Sequence, residues 1–493
     1  MIIPCFVVVP LAASFCIILF ARKSNNGAMT LSVLAGTALF FMSLLSFVLV
    51  AENGGPLSYA TGGWKIPWTI GFVLDYLSSF ILISINTVAV AALWYSIRYI
   101  TRYTDAWKYY ALFMLMLGGM NGFTVTGDIF NLFVFMEISL LAAYALVAFG
   151  CEAEELEAAF KYTVMGSISS TLVLLAIGLI YASTSTLNMA HIAQNLPLVH
   201  KPLLLFVYGL LFVGFGFKAA LVPFHAWLPD AHPAAPAPIS AMLSGVLIKT
   251  LGVYALIRFF YHVVPAPENV LNIFSVLGAA SILIGVFMAK LQFDIKRLLA
   301  FHSVSQIGYI ILGLGLGTPL GLLGAVFHLL NHGLFKSLLF LNAGSIEYGL
   351  GTRDLREMGG LNREMKSTAV SSMIASLSIS GIPPFNGFFS KLILILAAVQ
   401  AKQPIYALAA AAGSVLTLAS FLKVQRYAFY GEPAASRKSE KIPFSMNLAM
   451  LFLAGLCILS VVLMIPGIKE QVLDKVVDNI LNRQDYLEII AGG

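Results

Sequence analysis

Apolar runs recur along the whole chain, separated by short stretches rich in Gly, Pro, Lys and Arg. A helix that crosses a bilayer needs roughly 20 mostly apolar residues. Fourteen such runs can be read. They begin near Ile2, Met29, Tyr76, Tyr109, Ile129, Tyr162, Pro202, Pro238, Leu271, Leu298, Pro319, Ala369, Ile405 and Met446. The pattern predicts an all-α polytopic membrane protein with fourteen transmembrane helices.

Composition agrees. Of 493 residues, 59% are hydrophobic and 11% charged, with a mean hydropathy of +0.89. A soluble domain carries about 45–50% apolar and about 25% charged residues, and no soluble core hides this much apolar surface. Soluble enzymes, disordered tails and nucleic-acid binders are excluded. The four cysteines (Cys5, Cys16, Cys151, Cys457) lie far apart without a C-x-x-C pair, which argues against a zinc site, an iron–sulfur cluster or a disulfide framework. No flavin, quinone, haem or nucleotide motif is found, so no cofactor is expected.

Charge placement orients the chain. Arg22 and Lys23 follow the first apolar run, whereas a cleaved signal carries its charges in front. The first run is therefore expected to be a retained span with an outer N-terminus. Alternate loops then collect eighteen of the 29 Lys and Arg, Lys296, Arg353, Arg437 and Lys438 among them, while the opposite loops collect seven, including Arg258. By the positive-inside rule both termini face outwards. Four lysines are left over inside apolar runs: Lys218, Lys249, Lys336 and Lys391.

A charge near the bilayer centre costs about 2.5–3.5 kcal/mol on insertion scales, and usually marks an ion or proton path. Among the 23 acids, only Glu137 stands squarely within a run, while Asp75, Asp128 and Glu347 stand at run ends. A lone buried carboxyl is neutral unless a cation pairs with it, and Lys218 is its expected partner. His328, His332 and Lys336 follow at i, i+4 and i+8, on one helix face, and His302 lies on the preceding run. The metalloprotease zinc pattern needs Glu where Leu329 stands, so no metal is expected; the ladder suits proton hopping.

Two runs are predicted to be broken, at Pro223 after Lys218 and at Pro383–Pro384 before Lys391, because proline removes a helix donor. A pair of interrupted helices is the mark of an inverted-repeat transporter. The glycines near Gly313 suit close helix packing, and Glu152 to Glu157 reads as a solvated loop. Residues 468–487 form an amphipathic helix, expected either on the membrane surface or against a partner.

The segments GDIFNLFVFMEISLL, GFGFKAALVPFHAWLPDAHPAAPAPISAMLSGVLIKTLGVYALIRF, KRLLAFHSVSQIGYIILGLGL, FHLLNHGLFKSLLFLNAGSI and SISGIPPFNGFFSK resemble the proton-conducting antiporter-like subunits. That family includes the Mrp-type Na+/H+ antiporter subunits, the membrane arm of respiratory complex I and relatives in membrane-bound hydrogenases. The segment GGWKIPWTIGFVLDYLSS and the first motif look most like the D-type component of the Mrp group. The resemblance implies two inverted five-helix repeats, spans 4–8 and 9–13, with spans 7 and 12 broken. It divides the chain into an N-terminal three-helix segment (1–108), a first repeat (109–263), a second repeat (270–431) and a last span with its tail (442–493). It also implies that Glu137 and Lys218 are paired. Lys249 would then serve the route from the inner side, the histidines a central axis, and Lys391 the outward step. Partners would be other membrane subunits, with protons and Na+ as cargo. The competing expectations are a pumping arm of a redox-driven complex and a structural scaffold.

Overall fold

The computed structural model describes residues 2–22, 24–65, 68–432, 439–484 and 486–487. Lys23, Arg437 and Lys438, counted above in the basic loops, lie outside these, as do Asp485 and residues 488–493. Helices dominate: α1 Cys5–Phe20, α2 Asn25–Asn53, α3 Tyr76–Tyr99, α4 Ala106–Val125, α5 Ile129–Val147 and α6 Ala153–Thr184. Next come α7 Lys201–Ala219, α8 Leu228–Ala234, α9 Ala237–Val263, α10 Glu268–Lys290, α11 Ile295–Gly315 and α12 Pro319–Leu350. The chain continues with α13 Lys366–Ser380, α14 Asn386–Gln400, α15 Pro404–Phe429, α16 Phe444–Met464 and α17 Lys475–Leu481. A small antiparallel hairpin, β1 Leu57–Ala60 and β2 Gly71–Leu74, precedes α3. Among the described residues, eleven helices are long and apolar enough to cross a membrane. The chain is a polytopic helical membrane protein.

Burial sorts these helices into two classes. The most apolar stretches of α9, α11 and α12 are wholly enclosed by protein, whereas α2, α6, α15 and α16 leave most of theirs uncovered. In a bilayer the uncovered apolar side chains meet lipid, so the enclosed trio forms the axis of the bundle.

Both proline breaks occur, and both close in the same way. α7 ends on Ala220 at φ +55°, where Ala220 N–H bonds the Phe217 carbonyl and Leu221 N–H that of Gly216. α13 ends on Gly381 at φ +75°, with Gly381 N–H on Ser378 and Ile382 N–H on Leu377. This is the Schellman arrangement, which satisfies the last-turn carbonyls through a left-handed residue. The Val222–Pro223 and Pro383–Pro384 peptides are both cis. A second correspondence lies at the helix starts. Asp128 caps α5 and bridges to Asn188, just as Asp294 caps α11 and bridges to Asp354.

The exposed backbone of each break is satisfied by protein, as non-helical chain at membrane depth requires. Trp227 Nε1 donates to the Phe217 carbonyl at 3.1 Å, and Ser281 Oγ accepts from Val222 N–H at 3.0 Å. At the other break, Lys391 Nζ donates to the Ile379 carbonyl at 2.7 Å and Ser414 Oγ to that of Ser380 at 2.9 Å. Gly387, the second residue of α14, has no room for a side chain, since a Cβ there would stand 1.8 Å from the Ser378 carbonyl oxygen. Gly387→Ala is expected to lower stability by about 1–3 kcal/mol through overpacking. An unchanged melting midpoint of the purified chain in detergent would contradict this.

Two sequence expectations are corrected. The apolar stripe of the C-terminal segment needs neither a membrane surface nor a partner to cover it: Leu473, Val476, Ile480 and Tyr486 are buried against the chain's own helices. The hydrophobic stripe that made the segment amphipathic has found its cover within the same bundle. Arg258, assigned to a loop, lies inside α9 and is 2% exposed.

Candidate functional site

The lysines and histidines singled out above are all buried in the bundle, and Glu137 is half-buried beside them. Lys218, in the last turn of α7 before the break, is buried. Its Nζ donates to the Gly166 carbonyl at 2.8 Å and to Ser170 Oγ at 2.9 Å, both on α6. Ser170 in turn donates to Glu137 Oε1 on α5 at 2.5 Å. Among the described residues the expected Glu137–Lys218 contact is thus made through a hydroxyl rather than as a direct ion pair. Ser170 is a link that sequence reading missed, because serines are scattered through many of these spans. A cavity of about 10 Å³, room for about one water, adjoins Lys218 and is closed on its far side by Leu247 and Leu251 of α9.

Lys249 stands between those two leucines in sequence, at the start of a π-helical stretch (Lys249–Tyr254). Such bulges frequently mark functional positions because they free a carbonyl from the ordinary helix ladder. Here Lys249 Nζ donates to the Ser244 carbonyl at 2.5 Å. Small residues let α9 approach its neighbours. Gly252 lies against the break after α7, where a Cβ would stand 2.5 Å from the Ala219 backbone, and Gly245 lies against Ser337 of α12. Ser244 and Ser303 share a hydrogen bond of 2.7 Å, which brings α9 next to His302 on α11.

His302, His328 and His332 are fully buried. His328 Nδ1 contacts Ser390 Oγ at 2.9 Å, one residue from Lys391, and the His328 and His332 rings lie 6.2 Å apart. Among the described residues, His328 Nε2 and both ring nitrogens of His302 and His332 have no protein partner within hydrogen-bond reach. Gln306, one turn beyond His302, is in the same condition. Buried polar atoms are nearly always satisfied, by protein or by ordered water, so this axis is a place for water. Lys336 Nζ donates to the Leu299 carbonyl, and Lys391 Nζ stands 4.7 Å from the centre of the Tyr309 ring. On the far side of Lys391's break, Asn331 Nδ2 donates to the Asn386 carbonyl at 3.2 Å, and Asn386 Nδ2 to Ser460 Oγ at 3.0 Å.

Pro223, Pro383 and Pro384 thus mark real breaks, and Lys218 and Lys391 each sit where one of them exposes carbonyls. The set is made of groups that can bind and pass on protons: amines, imidazoles, hydroxyls and one carboxyl, spread over α5, α6, α7, α9, α11, α12 and α14. No group of three or more His, Cys, Asp or Glu that could hold a metal occurs among the described residues. Residues 126–417, which hold Glu137, the four lysines and the three histidines, match the family described as NADH:quinone oxidoreductase/Mrp antiporter, TM.

The chain belongs to this family.

Relatives within it carry two kinds of name. The chain is 36% identical to the N subunit of NADH-quinone oxidoreductase from Desulforudis audaxviator, covering 96% of both chains. It is 33% identical to the D subunit of the Na(+)/H(+) antiporter from Alkalihalophilus pseudofirmus, covering 98% of both. Among solved structures, it superimposes on a chain of the Mrp complex from Dietzia with a TM-score of 0.90 at 28% identity, covering 99% of this chain and 98% of that one. A chain of the membrane-bound sulfane sulfur reductase, an archaeal respiratory membrane complex, also gives 0.90, at 30% identity, with 98% and 99% covered. Both neighbours are parts of multisubunit membrane complexes.

Two charged clusters in this family member escaped sequence analysis. Asp75, assigned to a run end, is wholly buried and forms a two-pronged pair with Arg258, at 2.7 and 3.0 Å. Arg258 also touches His262 Nδ1 at 2.8 Å and lies over the Tyr486 ring at 4.7 Å. Lys296, assigned to a loop, is 2% exposed and pairs with Glu347 at 2.7 Å. That pair lines a basin of about 700 Å³ whose rim carries Glu152, Glu154, Glu155 and Arg353. The run Glu152–Glu157, read as a solvated loop, is solvated but is the N-cap and first turn of α6, where acidic side chains suit the helix N-terminus, and Arg353 ties Glu154 to Asp294 across it.

Proposed function

We propose that this chain is a proton-translocating subunit of a multisubunit Mrp-type cation/proton antiporter. The observation that carries the reading is that Lys249, Lys336 and Lys391 are buried at membrane depth, each donating to a backbone carbonyl. None has a carboxylate within ion-pair reach among the described residues. A permanently charged, unpaired amine there is costly, whereas one that takes up and releases a proton holds its charge only in passing. Protons would pass from the Lys249 region along His302, His332 and His328 to Lys391, and leave past Asn331, Asn386 and Ser460. Opening of the Glu137–Ser170–Lys218 link would lower the proton affinity of Lys218 and drive its proton onwards.

The architecture within this proposal is fourteen spans, with α7–α8 as span 7 and α13–α14 as span 12, arranged as inverted repeats of spans 4–8 and 9–13. The matching break closures and the matching Asp128–Asn188 and Asp294–Asp354 bridges support it. Within it the segments are 1–108, 109–263, 270–431 and 442–493. The setting would be the cell membrane, with both termini outside and the face carrying Arg297, Arg353 and Lys161 towards the cytoplasm.

The NADH-quinone oxidoreductase relative and the sulfane sulfur reductase neighbour support a second reading, the ion-pumping arm of a redox-driven complex. Purification of the native complex in mild detergent, with mass spectrometry of its subunits and assays for iron, nickel and flavin, separates the two. Membrane subunits alone, without metal, are expected for the antiporter. Iron–sulfur or nickel subunits in fixed ratio would replace it with the redox arm. A scaffold that moves no protons would instead tolerate neutral substitution of Lys249 and Lys391.

A further inference from the structure

α13 carries polar side chains along the face turned to α12 and α15. Thr368, Ser371, Ser372, Ser376 and Ser380 are all buried, and they span about 18 Å at 1.5 Å per residue. Hydroxyls alone would mean little, since serines in membrane helices commonly bond their own backbone. Two buried amides lie across this row, however. Gln425 Nε2 donates to Ser372 Oγ at 3.1 Å and to Ser376 Oγ at 2.9 Å. Asn342 Oδ1 accepts from Ser371 Oγ at 2.8 Å. Among the described residues, the other ends of both amides, Gln425 Oε1 and Asn342 Nδ2, are buried without a protein partner, as are the Thr368 and Ser420 hydroxyls.

From α15, Ser414 extends the seam to its upper end. There Ser414 Oγ bonds the Ser380 carbonyl and stands 3.4 Å from Lys391 Nζ. Its lower end, at Thr368, is two residues from the exposed Lys366 and fifteen from Arg353 on the basic face. Directly beyond Lys391, by contrast, α14 and α15 are apolar. Leu394, Tyr309, Leu312, Ile282 and Ala410 pack there with no exposure, forming a cluster separate from the main core.

We propose that the seam between α13 and α15 is a second proton-supply route, connecting the basic face to Lys391 without passing Lys249. The role of Lys391 as a proton-carrying group rests on the function proposed above; the hydration of the seam does not. Two suppliers converging on Lys391 would let it be recharged from the basic face while the central axis is occupied.

The test is thiol accessibility to silver ion, which is close to water in size, in chloride-free membrane vesicles of both orientations carrying the whole complex. In a chain with Cys5, Cys16, Cys151 and Cys457 changed to alanine, Ser376→Cys is exposed to silver from one face. Thiols that remain free are counted with a fluorescent maleimide after denaturation. Blocking from the basic face at least tenfold faster than from the opposite face is expected, with Leu394→Cys unblocked from either. Ser372→Cys, one turn below on the same row and also bonded to Gln425, should behave like Ser376→Cys and serves if that variant does not assemble. Blocking from the opposite face only, or from neither, overturns the route. Because accessibility needs no transport, a failure of the seam is distinguishable from a failure of the proton-translocation reading, which would leave Lys391→Ala with normal transport.

Discussion

Lys218→Ala is expected to reduce proton-coupled transport in vesicles by about 100-fold while the complex still assembles. A charge at mid-membrane costs about 2.5–3.5 kcal/mol, and removal of the group that accepts it returns that barrier to the transfer step, where each 1.36 kcal/mol is tenfold in rate. Ser170→Ala separates a working link from simple proximity. It keeps both charged residues but removes the hydroxyl that accepts from Lys218 and donates to Glu137. A hydrogen bond to a charged group contributes about 1.5–3 kcal/mol, so a loss of about tenfold is expected, with Ser170→Thr restoring most of the rate. Proton uptake by reconstituted vesicles, normalised to assembled complex, checks both. Near-normal rates for Lys218→Ala would end the mechanism. Near-normal rates for Ser170→Ala alone would leave Lys218 in place and remove Ser170 from the path.

The second large effect concerns stability. Asp75→Ala leaves Arg258 buried inside α9 with no carboxylate against it, and breaking a buried pair by removing one partner costs about 3–5 kcal/mol. The loss should spread to the C-terminal segment. Arg258 lies over the Tyr486 ring, His262 Nε2 contacts the Asn479 carbonyl at 2.9 Å, and Arg483 donates to the His262 carbonyl at 2.7 Å. A lower melting midpoint and new proteolytic cleavage between 468 and 487 are the expected readouts. Replacing both partners, as in Asp75→Leu with Arg258→Met, should recover much of the stability, because neither buried charge then remains. A single Asp75→Ala variant that melts and resists protease like the parent would refute the assignment.

The legible and illegible parts of this protein divide along a physical line. The apolar helices, the two breaks and the burial of Lys218, Lys249, Lys336 and Lys391 could be read from the chain, because a bilayer imposes a one-dimensional rule. Roughly 20 apolar residues cross it, proline interrupts the run, and any ionisable group within the run stands out. The i, i+4, i+8 spacing of His328, His332 and Lys336 was legible for the same reason, since helix geometry fixes it locally.

Partnership was not legible. Asp75 and Arg258 are 183 residues apart, and each looked like an ordinary charge at the end of a run. Ser170 became a link only when α6 was set between α5 and α7, and the serines of α13 became a seam only when Gln425 and Asn342 were laid across them. The amphipathic tail was read as fitting a membrane surface or a partner, and its actual cover, the chain's own bundle, was not legible by sequence. Hydropathy along the chain thus determined which residues enter the membrane, because the cost of burial is a property of each side chain. Tertiary packing decided what each buried polar group meets there, because a hydrogen bond or ion pair depends on the distance between two groups that the chain order does not fix.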